Sequence, residues 1–349
     1  MRSPVQKIPY LDFAKGYAIF TIVLYHAFQK VDLPPLLGQG IVFGGTGVHL
    51  FFLLSGFGLA WSRTVVTPDQ FYRRRLIKVW LPYVLALTIS LLAALAFDFF
   101  PDRWGAWMAG VGLYQMFYEP YIQSFGGHFW FISTIVQFYL IFPFLKKIQA
   151  NMADNRRFFL LTLAISVAWW VVVFFYDKGS LRTWNSCFLQ FLWEFTLGMC
   201  LADVLRSPEN SLQQALRFTQ KYWWALLPIG LLFTGLMVGM IVQLGAVGRI
   251  FNDIPALLGY TALSAFFYYL GDRIWPPWKR FFLWVNGFSF SLYLIHVLML
   301  EVYLYLLPPA PAWWILLPYI PLALLAGWAF ESLSRWWMAI FEARTLQPV

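Results

Sequence analysis

Charge is scarce in this chain of 349 residues: Asp, Glu, Lys and Arg together make up 12%, against the roughly 25% of a soluble domain. Cysteine is scarcer still, with Cys187 and Cys200 alone. They lie near the two ends of one apolar run, too far apart along a helix to bond, and two thiols make no zinc site. Only four histidines occur, His26, His49, His128 and His296. No acidic tail, Lys/Arg tract or internal repeat is present, and no linker is long enough to divide the chain into separate domains. The net charge of +9 therefore does not point to nucleic acid, since its basic residues sit in short turns rather than on a stacking groove.

What the chain has in excess is apolar surface, 60% hydrophobic and 21% aromatic, with a mean hydropathy of +0.64. Ten apolar stretches can be drawn: 10–28, 45–61, 79–97, 128–145, 158–176, 187–202, 222–244, 254–270, 287–307 and 313–330. Most approach the ~20 residues a helix needs to cross the hydrocarbon core, and runs this long exclude barrel strands. The expectation is an all-α, polytopic membrane protein of about ten transmembrane helices. It forms a single domain over 1–349 without a soluble extension, with the first span retained rather than cleaved.

Basic residues orient that drawing. Nineteen of the 25 fall on the side of the termini, five on the other side and Lys15 within a span. That asymmetry predicts both termini in the cytoplasm. Residues 68–79, with four basic residues, read as an interfacial cytoplasmic helix. The long outer segment 98–127, rich in aromatics and Gly, reads as a re-entrant lid.

Polar groups inside the apolar runs are costly and mark a pathway or a site. Asp12, Lys15 and His26 share one face of the first run, Lys15 and His26 about 16 Å apart along the axis. All four histidines, with Glu194 and Glu301, fall at the midplane or in the outer half, whereas Asp12, Lys15, Arg75 and Lys78 gather on the cytoplasmic half. This division suits an anionic donor arriving from inside and a neutral acceptor from outside. Structural readings compete. His49 and His128 can be interfacial polar groups, and His296 can simply bond between helices. Arg73 to Lys78 can snorkel to headgroups, and Asp12 with Lys15 can be an ion pair. His26, inside a span and on the face of Lys15, has the weakest such account.

Asp12-Phe-Ala-Lys15-Gly16 followed by His26 resembles the first-helix signature of acyltransferase family 3. Those polytopic bacterial enzymes move acyl groups, usually acetyl, from acyl-CoA onto envelope glycans. The family pairs an arginine with a histidine after ten intervening residues; here Lys15 stands in for the arginine, keeping the charge but losing the bidentate fork. Gly47-Val-His-Leu-Phe51-Phe52-Leu-Leu-Ser55-Gly56-Phe57 is similar to the second-helix motif, although His49 replaces an acidic or small residue and takes no role from it. Phe71 through Arg75-Leu-Ile-Lys78 to Pro82 resembles the basic segment before the third span. His128-Phe-Trp130-Phe131 with Tyr139 and Pro143, Glu194-Phe195 with Gly198, and Ser289-Phe-Ser291-Leu-Tyr293-Leu-Ile-His296 complete the resemblance.

The resemblance implies transfer from a thioester to a hydroxyl in a bacterial inner membrane. The donor would be acetyl-CoA or another acyl-CoA, with no tightly bound cofactor and no metal. The acceptor would be a glycan, with polysaccharide-assembly proteins as partners. Imidazole, titrating at about 6.5, suits the base that takes the hydroxyl proton. His26 is the candidate, either in direct transfer or through a covalent acyl-histidine, with Lys15 held by Asp12 on an anionic part of the donor. Arg75 and Lys78 would meet CoA phosphates. Ser55, His128, Trp130, Glu194, Tyr293 and His296 are supporting candidates, and Ser55, Trp130 and Tyr293 have the donors an oxyanion needs. Two other readings stay open: a transporter or flippase for a lipid-linked sugar or small anion, and an inactive family member serving as an assembly partner.

Overall fold

A computed structural model describes residues 8–62, 67–100, 102–206, 217–308 and 311–345, without the side chains of residues 36 and 342–345. Among these residues every regular element is helical, as an apolar chain with no water to pair its backbone requires. Each of the ten apolar stretches falls on a helix. Among the described residues, seven helices have the length and hydropathy of a membrane span, or eight when one bent pair is taken together.

The N-terminal half contains α1 (Pro9–Phe28), α2 (Pro35–Gly45), α3 (Gly47–Trp61), α4 (Pro68–Arg75), α5 (Leu81–Phe97) and α6 (Arg103–Val111). The middle supplies α7 (Glu119–Ile122), α8 (Trp130–Asn151), α9 (Asn155–Phe175), α10 (Arg182–Asn185) and α11 (Leu192–Val204). The remainder is α12 (Leu226–Leu244), α13 (Ala246–Phe251), α14 (Asp253–Arg273), α15 (Pro276–Asn286), α16 (Ser289–Tyr305) and α17 (Tyr319–Thr345).

Proline opens α1, α2, α4 and α15, where its missing N–H removes no helix bond and its φ is already helical. Asp154 caps α9, accepting from the Arg157 amide at 2.7 Å. The basic segment differs from the interfacial helix expected of it. α4 runs through one π-helical turn, Leu76–Trp80, directly into α5, so Pro68–Phe97 is one continuous 30-residue rod. A π turn inserts an extra residue without breaking the backbone ladder, and no Gly or Pro interrupts residues 71–80 to force a bend. Between α15 and α16 the chain turns by 82° instead, at Gly287–Phe288.

Small residues set the helix contacts. α3 and α11 cross where Gly56 meets the Phe195 carbonyl and Gly198 meets the Leu53 carbonyl, leaving no room for a Cβ on either. Close backbone approach of this kind substitutes for the hydrophobic effect, which lipid does not supply between helices. The core beside that crossing is aromatic: Phe52 stacks on Phe191 at 4.6 Å and Phe138 on Phe195 at 4.4 Å. Such offset rings combine large buried area with a preferred geometry. α1 packs in the middle, against α2, α3, α14, α15 and α16, and its Asp12, Lys15 and His26 are half-buried.

Candidate active site

α1 ends in a cavity of about 540 Å³. The C-terminal end of α1 contributes Tyr25 and His26, and the start of α3 contributes Val48 and His49. His128 and Trp130 come from the start of α8, Asp253 from the start of α14, and Tyr293 from α16. The segment expected to be a lid closes one side of it with Gln123, Gly126 and Gly127, and α10 adds Arg182. Gly126 and Gly127 hold φ of +93° and +71°, a backbone that L side chains rarely adopt. A Cβ on Gly126 would also strike Val297, so this turn can bring His128 against α16 only with glycine.

Three of the four histidines meet here. The ring centroids of His26 and His296 are 5.0 Å apart, those of His128 and His296 5.1 Å, and those of His26 and His128 6.2 Å. His296 is fully buried on α16, with Nδ1 2.8 Å from the Tyr293 carbonyl and 3.0 Å from the Leu292 carbonyl. Carbonyls only accept, so Nδ1 of His296 carries the proton. In the neutral ring its Nε2 is then an acceptor, and it lies 3.0 Å from Nδ1 of His26. His26 therefore donates from Nδ1 and keeps the lone pair on Nε2, the nitrogen a base needs. The backbone of α16 thus fixes the tautomer of a ring on α1.

The other candidates divide into three groups. Tyr293 donates its hydroxyl to the His128 carbonyl, holding the start of α8 against α16. His128 is buried, and neither ring nitrogen has a well-aligned hydrogen-bond partner among the described residues. Glu194, fully buried on α11, does not line the cavity but pairs with His49, Oε1 to Nδ1 at 2.7 Å. The other nitrogen of His49 lies 4.0 Å from Asp253, whose second oxygen accepts from Gln190 at 2.7 Å. His49 takes no role from the sequence motif around it, yet it is a ring backed by a carboxylate and open to the cavity. Asp253, Gln190 and Arg182 carry no sequence signal either. A turn residue beside a helix start has no periodicity, and only the fold brings these three to one wall.

Lys15, Asp12, Arg75, Lys78 and Ser55 lie away from this cavity. Lys15 and Asp12 are half-buried on α1 and close enough for their charges to interact. The Arg75 guanidinium rests on the rings of Phe71 and Tyr139, 5.6 and 5.5 Å from their centroids. Lys78 lines a second cavity of about 420 Å³ with Ser289, Ser291, Glu331 and Arg335. Ser55, half-buried on α3, lines neither. α16 is the element the two cavities share: Ser289 and Ser291 face one and Tyr293 the other, within about 6 Å of helix rise.

Outside the spans, the lid is clasped to the loop that bears α10. Glu119 accepts from the Arg182 amide and the Thr183 amide, each at 2.9 Å. Partial burial opposes ionisation of this carboxyl, but those amides and Gln123 outweigh it and hold the group below the usual carboxylate range. Burial lowers the Arg182 guanidinium from its ordinary value, and from so high a start it stays a cation at neutral pH. Among the described residues no three His, Cys, Asp or Glu are grouped to hold a metal ion.

Comparison with known proteins identifies the family. Residues 8–332 match the model of acyltransferase family 3, described as an acyltransferase domain. A curated relative, acyltransferase MdmB of Streptomyces mycarofaciens, is 28% identical over 232 residues, which cover 59% of this chain and 60% of the relative. No solved structure matches. With nearly its whole length inside that family model, the chain belongs to acyltransferase family 3, and its long apolar helices make it a multi-pass membrane protein.

Proposed function

We propose that the protein is an inner-membrane O-acyltransferase of a bacterium, moving an acetyl group from cytoplasmic acetyl-CoA to a hydroxyl of an exported glycan. The observation that carries this reading is the His296–His26 pair, which leaves the His26 lone pair on a polar cavity. Transfer needs a neutral base beside the incoming hydroxyl, and a ring whose tautomer is set from behind meets that need. The acceptor hydroxyl attacks the thioester carbon while Nε2 of His26 takes its proton. Collapse of the tetrahedral adduct then expels the CoA thiolate, which receives that proton.

The second cavity supports a donor arriving from the opposite end. Lys78 and Arg335, with Arg75 nearby on the same rod as Lys78, offer cations to phosphates. Lys15, with Asp12, would meet an anionic part of the donor between that end and His26. With ten spans and both termini in the cytoplasm, the basic end would face the compartment where acyl-CoA is made. The amides of Gln29, Asn185, Gln190 and Asn252 around the His26 cavity suit a polyhydroxylated acceptor, and polysaccharide-assembly proteins would deliver it.

The test uses purified protein in liposomes with acetyl-labelled acetyl-CoA, and mass spectrometry of surface glycans from cells with and without the protein. Label should enter a glycan, adding one acetyl unit, and His26→Ala should lower the rate by about 10²–10⁴-fold while the protein still inserts. Movement of an unaltered substrate would mark a transporter instead.

A further inference from the structure

Arg182, half-buried at the start of α10, is the cation that bears on the reading above. Its guanidinium lies over the Trp130 ring, 5.1 Å from the centroid, and lines the same cavity as His26 and Tyr293. Its charge reaches both of those residues. Yet none of the ion pairs among the described residues involves it. Glu119, the acid beside it, commits both carboxylate oxygens to backbone amides of residues 182 and 183. The clasp therefore fixes where the arginine stands, and the Glu119 carboxylate acts on the guanidinium from beyond ion-pair distance. Held by an aromatic face and a backbone clasp, the guanidinium is preorganised to meet negative charge that forms in the cavity.

We propose that Arg182 is a catalytic residue, donating hydrogen bonds to the oxyanion that forms on the thioester carbonyl as His26 deprotonates the acceptor. This rests on the acyl-CoA reading above. As the acceptor oxygen bonds to the carbonyl carbon, the C=O π pair moves onto oxygen and is met by the guanidinium. When the pair returns, the carbon–sulfur bond breaks, and the CoA thiolate leaves with the proton held by His26. Charge developing at a fixed donor in a low-dielectric site is stabilised more in the transition state than in the ground state, which is what accelerates a reaction. Arg249, also on the cavity wall but exposed, is screened by solvent and is not assigned this role.

The experiment follows CoA thiol release from acetyl-CoA, with methyl β-D-glucopyranoside as acceptor and with water alone, since both reactions pass through the same oxyanion. Arg182→Ala should lower kcat by about 10²–10³-fold, leave both KM values within about threefold, and regain rate when guanidinium ion is added. Arg182→Lys, which keeps the charge, should fold as the parent does and fall between the two. A rise in acceptor KM with kcat unchanged would overturn the proposal, making Arg182 a binder of an anionic acceptor. Equal loss in the Lys and Ala variants with no rescue by guanidinium would also overturn it, leaving a packing role. Absence of thiol release from the parent protein would instead defeat the donor reading, and a fully active His26→Ala would defeat the base.

Discussion

A histidine can serve as a base only if one nitrogen is kept free, and here that choice is made by a backbone. The carbonyls of Leu292 and Tyr293 both face Nδ1 of His296, and the preference passes through the His296–His26 bond to the far side of His26. Replacing His296 by Gln removes that arrangement without emptying the space. kcat should drop at least tenfold with little change in donor KM, measured as initial rates over a range of acetyl-CoA concentrations; an unchanged kcat would show that His26 needs no orienting ring. His26 is visible in the sequence because an ionisable group inside an apolar run demands an explanation. The pairing is not, since His296 lies 270 positions away and its own helix shows no amphipathic face. His49 is hidden for a related reason: its value comes from Glu194 and Asp253, on two other helices, and although Glu194 stands out in its apolar run, nothing in the sequence pairs it with His49.

At the scale of elements, the apolar runs translate directly into helices because a backbone in lipid has almost no alternative. The joints are harder to read. Nothing in residues 71–80 announces that the basic segment joins α5 through a π turn, whereas the break at Gly287–Phe288 does coincide with a glycine. The crossing of α3 and α11 is the contact least tolerant of change. Gly198→Leu must push apart two backbones, costing about 1–3 kcal/mol or more, and should lower the temperature at which the detergent-solubilised protein keeps its monodisperse peak. Glu119 gives the loop clasp a pH dependence of definite sign. Its carboxyl is lower in the folded protein than in the unfolded chain. The clasp is thus complete above the unfolded value and is lost as pH falls through the folded one. The melting temperature of the parent should therefore exceed that of Glu119→Gln at neutral pH, and the two should converge on acidification; a constant gap would mean that the carboxylate is not the source.

For the molecule as a whole, the division of charge along the chain foretells two ends of different character. The structure places Lys78 and Arg335 around one cavity and two imidazoles, His26 and His128, with His49 on the wall of another. Topology can be tested directly. In a background without Cys187 and Cys200, cysteines replacing Lys146 and Lys178 should react with a membrane-impermeant maleimide from opposite faces of a sealed vesicle. Labelling from one face would remove the ten-span drawing and, with it, the separation of donor from acceptor.

One column of backbone, α16, is a party wall. Serines near its beginning look into one chamber, and a tyrosine a single turn further on looks into its neighbour. If a guest leaning on this wall from one room alters the space next door, thermodynamic reciprocity makes the disturbance equal in both directions. The coupling between two such guests is then the same whichever is admitted first.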